Sequence, residues 1–254
     1  MMSALHKFLL FHVLASLGQN ALGSEIINGK KAPENSMLYM ASVQTNRQHI
    51  CGGFLVSEDF VVTAAHCDDK NPTSVVLGTH NLKEATDDMR YDVMRCKHPG
   101  YVNVSNGNDI MLLKLSRKAQ LNTRVQTIQL PIHEINPKQN ENCHVAGWGS
   151  TRSYGYPVDV LQEVQVPIVD LRNCKEQWKE IRLPDNVICA GGYGTNKGFC
   201  QGDSGGPLVC SGKAVGVVSF NRGFSCDYPN VPNVYMNLSK YLPWIKEILR
   251  KKTC

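Results

Sequence analysis

The chain has 254 residues, of which 42% are hydrophobic and 19% charged, and 27 basic against 22 acidic residues give a formal net charge of +5. This composition argues against a disordered chain. The small, dispersed positive charge gives no indication of nucleic-acid binding, although weak attraction to acidic polymers stays open. The 21 glycines and 12 prolines fit a turn-rich β protein better than a helical bundle.

Ten cysteines are spread along the whole chain. They include no Cys-X-X-Cys pair and no cysteine–histidine spacing typical of a metal site, so a structural zinc ion is not predicted. An even number of cysteines in a chain of this size indicates disulfide bonds formed in an oxidising compartment. The cysteines stand at positions 51, 67, 96, 143, 174, 189, 200, 210, 226 and 254.

Residues 1–23 are predicted to be a secretory signal peptide. A histidine and a lysine at positions 6 and 7 precede an apolar run over residues 8–17, and the tripeptide Ala-Leu-Gly at 21–23 places cleavage after Gly23. The alternative is a buried or membrane-spanning helix, but the run is much shorter than the ~20 apolar residues that cross a bilayer. No other segment could span a membrane, so a secreted or granule-stored protein is expected.

Ten short apolar runs follow, rich in valine, isoleucine and tyrosine and bounded by glycine, asparagine, aspartate or proline. This pattern is typical of the strands of an all-β sandwich or barrel. In chain order the predicted strands are Tyr39–Val43, Phe54–Val56, Phe60–Thr63, Ser74–Leu77, Ile110–Leu115, Cys143–Ala146, Val164–Val166, Pro207–Val209, Val215–Phe220 and Asn233–Met236.

Two segments differ from these runs. Residues 131–142 are polar and contain two prolines, so they are predicted to be a linker between two β halves, about 26–132 and 133–254. Near the C-terminus, apolar residues at 238, 242, 245 and 249 recur at helical spacing. An amphipathic helix is therefore predicted over 238–250, and its basic end suits the helix dipole.

The strings TAAHC, NDIMLL and GDSGGP contain His66, Asp109 and Ser204. A serine hydroxyl is a poor nucleophile until a base removes its proton, and an acid must hold that base in the right tautomer. Glycines around Ser204 allow a tight turn that points the N–H groups of Gly202 and Ser204 at one spot, which could hold an oxyanion. Taken one at a time, each residue also has a non-catalytic interpretation. His66 could be a histidine at the end of a strand, Asp109 a turn residue and Ser204 a loop residue. Together they predict nucleophilic catalysis.

These strings resemble the three catalytic signatures of the chymotrypsin-fold, trypsin-like serine proteases. The strings IING at 26–29, CGG at 51–53, GWG at 147–149 and SFN at 219–221 resemble further motifs of that family. The resemblance extends from Ile26 to about Arg250. It implies two six-stranded antiparallel β-barrels with a C-terminal α-helix, and a serine endopeptidase site in the cleft between the barrels.

The resemblance assigns roles to the candidate residues. His66 is expected to act as general base and then acid, Asp109 to orient it, and Ser204 to be the nucleophile. Gly202 and Ser204 are expected to supply the oxyanion hole. The rival hypothesis, an inactive homologue acting as a binding protein, is disfavoured because such homologues typically lack the histidine or the serine.

The expected activation step also follows from the resemblance. If the signal peptide ends at Gly23, only Ser24 and Glu25 precede Ile26. Such a dipeptide resembles the propeptide of leukocyte granule proteases, namely granzymes, mast-cell proteases and elastase-like members, and implies removal by a dipeptidyl peptidase. The new Ile26 ammonium is expected to pair with Asp203, and the oxyanion loop to stay misformed before cleavage. The dipeptide argues against the other rival, an extracellular digestive or regulatory protease.

The family pattern implies four disulfide bonds, among connectivities that the sequence alone could not choose. Cys96 and Cys254 remain: either they pair and tie the C-terminal helix to the first barrel, which is favoured, or one stays free. The implied pairs are Cys51–Cys67, Cys143–Cys210, Cys174–Cys189 and Cys200–Cys226.

The resemblance also places a substrate pocket. Gly198 at its base carries no charge, so cleavage after lysine or arginine is disfavoured and a small or medium uncharged residue is expected. Asn221 is expected to narrow the mouth, and Phe199 to take up volume if it points inward. Ser219 is expected beside Asp109. The substrate-binding positions are Gly198, Phe199, Ser219, Phe220, Asn221 and Asn233.

No metal or cofactor is predicted. Calcium-binding relatives place glutamates where this chain aligns Thr79, Thr86 and Met89, which leaves too few hard oxygen ligands. The expected partners are protein or peptide substrates and the activating dipeptidyl peptidase, with serpin-type inhibitors and acidic proteoglycans as further candidates. Arg222 is predicted either to attract an acidic substrate residue or to be a solvated loop charge.

Overall fold

A computed structural model describes residues 26–228 and 231–254. The predicted signal peptide at 1–23 and the activation dipeptide at 24–25 lie outside the described residues. Within those residues, no helix is long and apolar enough to cross a membrane.

The first half of the chain forms a closed antiparallel barrel. A short strand, β1 (Lys30–Lys31), precedes it and pairs with a strand of the second half. The six barrel strands pair in the order β2-β3-β4-β7-β6-β5, and β5 closes the ring against β2. They are β2 (Met40–Thr45), β3 (Gln48–Ser57), β4 (Phe60–Thr63), β5 (Ser74–Val76), β6 (Arg90–Lys97) and β7 (Met111–Leu115).

The second half forms a second closed antiparallel barrel, so the predicted fold class is confirmed. Its strands pair in the order β9-β10-β13-β12-β11-β8, and β8 closes the ring against β9. Each barrel surrounds an apolar core, built from inward-facing side chains such as Phe54 in the first and Tyr235 in the second. The strands are β8 (Asn142–Gly147), β9 (Gln162–Val169), β10 (Val187–Ala190), β11 (Pro207–Cys210), β12 (Lys213–Phe220) and β13 (Asn233–Asn237).

Two of the barrel strands were not predicted from the sequence. Strand β6 carries four charged residues and buries only Tyr91 and Cys96 of its eight, so it contains no continuous apolar run. Strand β10 is buried at all four positions but is short. Pairing with neighbouring strands, rather than local hydrophobicity, makes these segments extended.

The C-terminal helix begins later than predicted. Residues Leu238–Tyr241 form a 3₁₀ turn, and the α-helix α2 spans Leu242–Lys251, after the earlier α1 (Leu171–Gln177). Pro243 lies in the first turn of α2, where its missing N–H and fixed φ suit a helix start. The apolar spacing continues through the 3₁₀ turn, which is why the sequence did not show the boundary.

Five disulfide bonds cross-link the chain in and around the two barrels. The bond between Cys96 in β6 and Cys254 ties the end of the chain back to the first barrel. None of the described cysteines is free. The other bonds join Cys51 to Cys67, Cys143 to Cys210, Cys174 to Cys189 and Cys200 to Cys226.

Replacing both Cys96 and Cys254 by serine is expected to lower the free energy of unfolding by about 2–4 kcal/mol, because the unfolded chain regains the entropy that this cross-link removes. Denaturant unfolding under non-reducing conditions measures the change. Lys252→Ala, which removes an exposed charge paired with Asp59 beside the same terminus, serves as the control. A double-serine variant as stable as the parent would contradict the expectation.

Candidate active site

His66 and Asp109 lie at neighbouring strand ends of the first barrel. His66 is in the 3₁₀ turn Ala65–Lys70 that follows β4, and Asp109 precedes β7. Because β4 and β7 are antiparallel partners, with Thr63 opposite Met111, the end of one strand lies beside the start of the other. The sheet register therefore brings the two side chains together.

Three hydrogen bonds fix the carboxylate of Asp109. Its Oδ2 accepts from His66 Nδ1 at 2.8 Å and from the hydroxyl of Ser219 at 2.5 Å. Its Oδ1 accepts from the backbone N–H of His66 at 2.8 Å. Because a carboxylate only accepts, the proton of a neutral His66 lies on Nδ1 and leaves Nε2 as an acceptor. The His66 side chain is 20% exposed, whereas that of Asp109 is fully buried.

Asp109 stays ionised despite its burial. Burial alone would raise the pKa of this carboxyl, but the adjacent His66 and the hydrogen bonds from His66 and Ser219 together hold the pKa of Asp109 below its ordinary value. Ser219 comes from β12 of the second barrel, at an irregularity in the β12–β13 pairing between Val218 and Phe220. Such bulges re-aim a side chain, so the second barrel helps to hold the aspartate of the first.

Ser204 comes from the loop before β11 and is held against the first barrel. The backbone N–H of Gly52 donates to the carbonyl of Ser204 at 2.8 Å, and the Thr63 hydroxyl donates to the carbonyl of Gly52 at 2.8 Å. Gly205 has a φ of +84°, and a Cβ there would overlap Thr63 and the backbone of Gly52. Only glycine allows this close approach of the two barrels.

The disulfide between Cys51 and Cys67 locates His66 relative to Ser204. A ring nitrogen of His66 lies within 4.8 Å of the sulfurs of both cysteines. The sulfur of Cys67 lies 3.8 Å from the carbonyl oxygen of Ser204. Among the described residues the Ser204 hydroxyl makes no hydrogen bond to His66, and such bonds are often long in ligand-free sites and tighten when substrate binds.

The backbone of Gly202 is held by a histidine that sequence analysis missed. Gly202 has a φ of +99°, a conformation that glycine readily adopts. His49 Nε2 donates to the Gly202 carbonyl at 2.9 Å, and His49 Nδ1 accepts from the hydroxyl of Ser42 at 2.9 Å. Burial lowers the pKa of His49 to about 4, so its ring is neutral at physiological pH. A histidine two residues before Cys51 was the only signal in the sequence.

Asp203 is a buried carboxylate whose described hydrogen-bond donors are backbone groups. Its Oδ1 accepts from the N–H of Gly149 at 2.8 Å, and its Oδ2 accepts from that of Cys200 at 2.8 Å. Burial raises the pKa of Asp203 to about 7. The side chain of Ile26 is also buried, within the core of the second barrel. The expected ion pair joins Asp203 to the ammonium group of Ile26. That ammonium group forms only when the chain is cut before Ile26.

The side chains of Ser219 and Phe220, two of the predicted substrate-binding positions, contact residues in different halves of the chain. Ser219 contacts Asp109 as expected, and Phe220 packs edge-to-face on Trp178 at 5.4 Å. Phe199 is buried and packs edge-to-face on Tyr235 at 5.3 Å.

Asn233 lies against Gly198, as does the ring of Tyr228, a residue that sequence analysis did not single out. Asn221 donates to the carbonyl of Ser225 and to the hydroxyl of Tyr228. Arg222 forms an exposed ion pair with Glu180.

Comparison with known proteins identifies the family. The sequence model of the family described as Trypsin matches residues 26–245. The chain belongs to the trypsin family of serine proteases. This trypsin-family chain is therefore a serine endopeptidase, and the resemblance expected from its sequence is confirmed.

Relatives of this trypsin-family protease match over most of its length. It is 39% identical to granzyme B(G,H) of Mus musculus, over 96% of this chain and 99% of that protein. It is also 39% identical to duodenase-1 of Bos taurus, over 96% of each chain. The solved structure of neuropsin, a serine protease expressed in the limbic system of mouse brain, is 33% identical with a TM-score of 0.79, over 87% of this chain and 99% of that one.

Ser219→Ala in the trypsin-family protease is expected to lower stability by about 1–3 kcal/mol at neutral pH, because it removes a hydrogen bond to a buried charge. Since the folded-state pKa of Asp109 lies below its unfolded value, ionised Asp109 stabilises the fold above about pH 4, and this stabilisation is lost as the pH falls further. The difference in unfolding free energy between the parent and the Ser219→Ala variant should therefore become smaller below about pH 4. Unfolding free energies measured from pH 3 to pH 7 test this.

Ser211→Ala is the matched control, since the exposed Ser211 hydroxyl also bonds a carboxylate, that of Glu141, at 3.2 Å. Its effect should stay within about 0.5 kcal/mol at every pH. A Ser219→Ala deficit that is equally large at pH 3 and pH 7 would contradict the proposed ionic origin.

Proposed function

We propose that Ser204, His66 and Asp109 are the catalytic residues of this protease. The observation that carries the proposal is the 2.8 Å hydrogen bond from His66 Nδ1 to the buried Asp109, which in a neutral His66 leaves Nε2 as the acceptor nitrogen; the His66 side chain is 20% exposed. An imidazole held in this way can take the proton of a serine hydroxyl and is stabilised once it becomes positively charged.

In the proposed reaction, the hydroxyl oxygen of Ser204 attacks the peptide carbonyl carbon while His66 Nε2 takes its proton. The carbonyl oxygen becomes an oxyanion, and the N–H groups of Gly202 and Ser204 donate to it. His66 then gives the proton to the leaving amine, which breaks the peptide bond and leaves an acyl ester on Ser204. Water, deprotonated by His66, attacks this ester and restores the free hydroxyl.

Ser204→Ala is expected to lower peptide turnover by about 10⁴-fold or more while leaving the unfolding midpoint close to that of the parent, because only the nucleophile is lost. The measurement is kcat on a peptide amide substrate, with the variant purified separately from active protease. Ser36→Ala, which changes a surface hydroxyl bonded to the carbonyl of Pro33, is the control. Substantial turnover by the Ser204→Ala protein would rule out the mechanism.

Activation is proposed to depend on Asp203. A carboxyl whose pKa burial raises to about 7 is only partly ionised at neutral pH, and a neighbouring ammonium would favour its charged form. Removal of Ser24 and Glu25 by a dipeptidyl peptidase would supply that ammonium at Ile26. Since Asp203 lies between Gly202 and Ser204 in the chain, the ion pair would order the oxyanion loop, and this coupling makes a buried pair useful as a switch.

The form that begins at Ser24 is expected to be nearly inactive, and the form that begins at Ile26 to be active. Hydrolysis of one peptide substrate by the two purified forms measures the difference. In the trimmed form, Asp203→Asn should abolish the increase in hydrolytic activity that trimming produces. Asp185→Asn, at an exposed carboxylate paired with Lys175, should leave that increase unchanged. If the untrimmed form is as fast as the trimmed one, Asp203 is not the switch.

The biological setting proposed for this protease is secretion or storage in the granules of immune cells. The apolar segment before Gly23, the two-residue propeptide and the relative named granzyme B(G,H) support it. Serpin-type inhibitors and acidic proteoglycans are proposed partners. The proposed substrates carry a small or medium uncharged residue before the scissile bond, because Gly198 offers no counter-charge to lysine or arginine.

A further inference from the structure

The hydroxyl of Tyr228 is held by three hydrogen bonds. It donates to the carbonyl of Phe199 at 2.6 Å. It accepts from Asn233 Nδ2 at 2.9 Å and from Asn221 Nδ2 at 3.4 Å. A tyrosine hydroxyl has one proton and two lone pairs, so these three partners satisfy it completely. Burial raises the pKa of Tyr228 to about 12, and the hydroxyl therefore keeps its donor proton at neutral pH.

The ring of Tyr228 lies directly on Gly198. A Cβ added at Gly198 would lie 2.6 Å from Tyr228 Cε2 and 2.5 Å from Asn233 Nδ2, closer than such atoms approach in real structures. The space between the backbone of Gly198 and the tyrosine ring is therefore too small to hold another side chain. A side chain that approached Gly198 along its Cα–Cβ direction would meet the ring before it reached Gly198.

The ring also connects two segments that flank the candidate active site. Gly198 and Phe199 shortly precede Ser204 in the chain, whereas Asn221 follows Ser219, which bonds Asp109. The disulfide between Cys200 and Cys226 joins the same two segments. Tyr228 thus lies within the candidate specificity pocket, defined here by Gly198, Phe199, Asn221 and Asn233.

We propose that Tyr228 is the specificity-determining residue of this protease, because its ring fills the candidate specificity pocket and admits only glycine, alanine or serine before the scissile bond. The inference rests on the proposed function and narrows its substrate class from small or medium residues to small ones. A larger side chain has to displace the ring. Displacement would break all three hydrogen bonds and leave the buried amide of Asn233 without that partner.

Cleavage of two matched peptide series by the trimmed protease tests the proposal. The peptides differ only in the residue before the scissile bond, alanine or leucine, and the readout is the ratio of their kcat/KM values. The parent should prefer alanine, and Tyr228→Ala should shift the ratio toward leucine by about 10–100-fold. Tyr228→Phe keeps the ring but loses its hydrogen bonds, and should shift the ratio in the same direction by a smaller factor.

Tyr154→Ala is the matched control, because it removes a tyrosine ring that is 84% exposed. It should leave the ratio unchanged. The proposal is overturned if the parent cleaves after leucine as well as after alanine, or if Tyr228→Phe and a folded Tyr228→Ala both keep the parental ratio.

A binding experiment separates this proposal from the proposed function, since it needs no turnover. Indole, a neutral aromatic probe, is titrated into Ser204→Ala protein with and without Tyr228→Ala, and binding is followed by NMR. If the ring fills the pocket, only the double variant should bind indole, at about millimolar concentration, because removal of the ring leaves a space that a flat aromatic molecule can enter, with the amides of Asn221 and Asn233 at its edge. Equal binding to both proteins, or binding to neither, would overturn the proposal even in a fully active protease.

Discussion

The buried carboxylate of Asp203 forms backbone hydrogen bonds next to the segment that carries the proposed nucleophile. It accepts from the backbone of Gly149 on one side and Cys200 on the other. Gly149 lies so close to this carboxylate that a Cβ there would overlap it. Because this carboxylate bonds both Gly149 and Cys200, we propose that it holds the turn at residues 200–205, and with it Gly202 and Ser204. A group whose pKa burial raises to about 7 is well placed for control by a nearby ammonium.

The site exists only where the two barrels meet. The first barrel supplies His66 and Asp109, and the second supplies Ser204 together with the Ser219 hydroxyl that bonds Asp109. The backbone of Gly52 bonds Ser204 directly across the junction. A small shift between the barrels would change the approach of the proposed nucleophile to the proposed base, so stable packing of both barrels is a condition for the proposed mechanism.

Part of this arrangement could be read from the sequence because it is encoded locally: the run Phe60–Thr63 is a strand with the predicted bounds. The meeting of the strings around His66, Asp109 and Ser204 was implied by the family resemblance, and in the structure His66 bonds Asp109 while Cys67, next to His66, contacts Ser204. The rest depends on long-range contacts. Strand β6 is extended because of its neighbours, and Tyr228 and His49 acquire their positions from partners distant in the chain, which no local pattern reveals.

The proposed mechanism requires that Ser204 is the single activated hydroxyl of the trimmed protein. A fluorophosphonate phosphonylates such a hydroxyl with loss of fluoride, and mass spectrometry of the digested protein locates the adduct. We expect one adduct, on Ser204, and we expect it to form far more slowly when Asp109→Asn disturbs the tautomer of His66. An adduct on another serine, or no reaction of the folded, trimmed protein, would contradict the proposed mechanism.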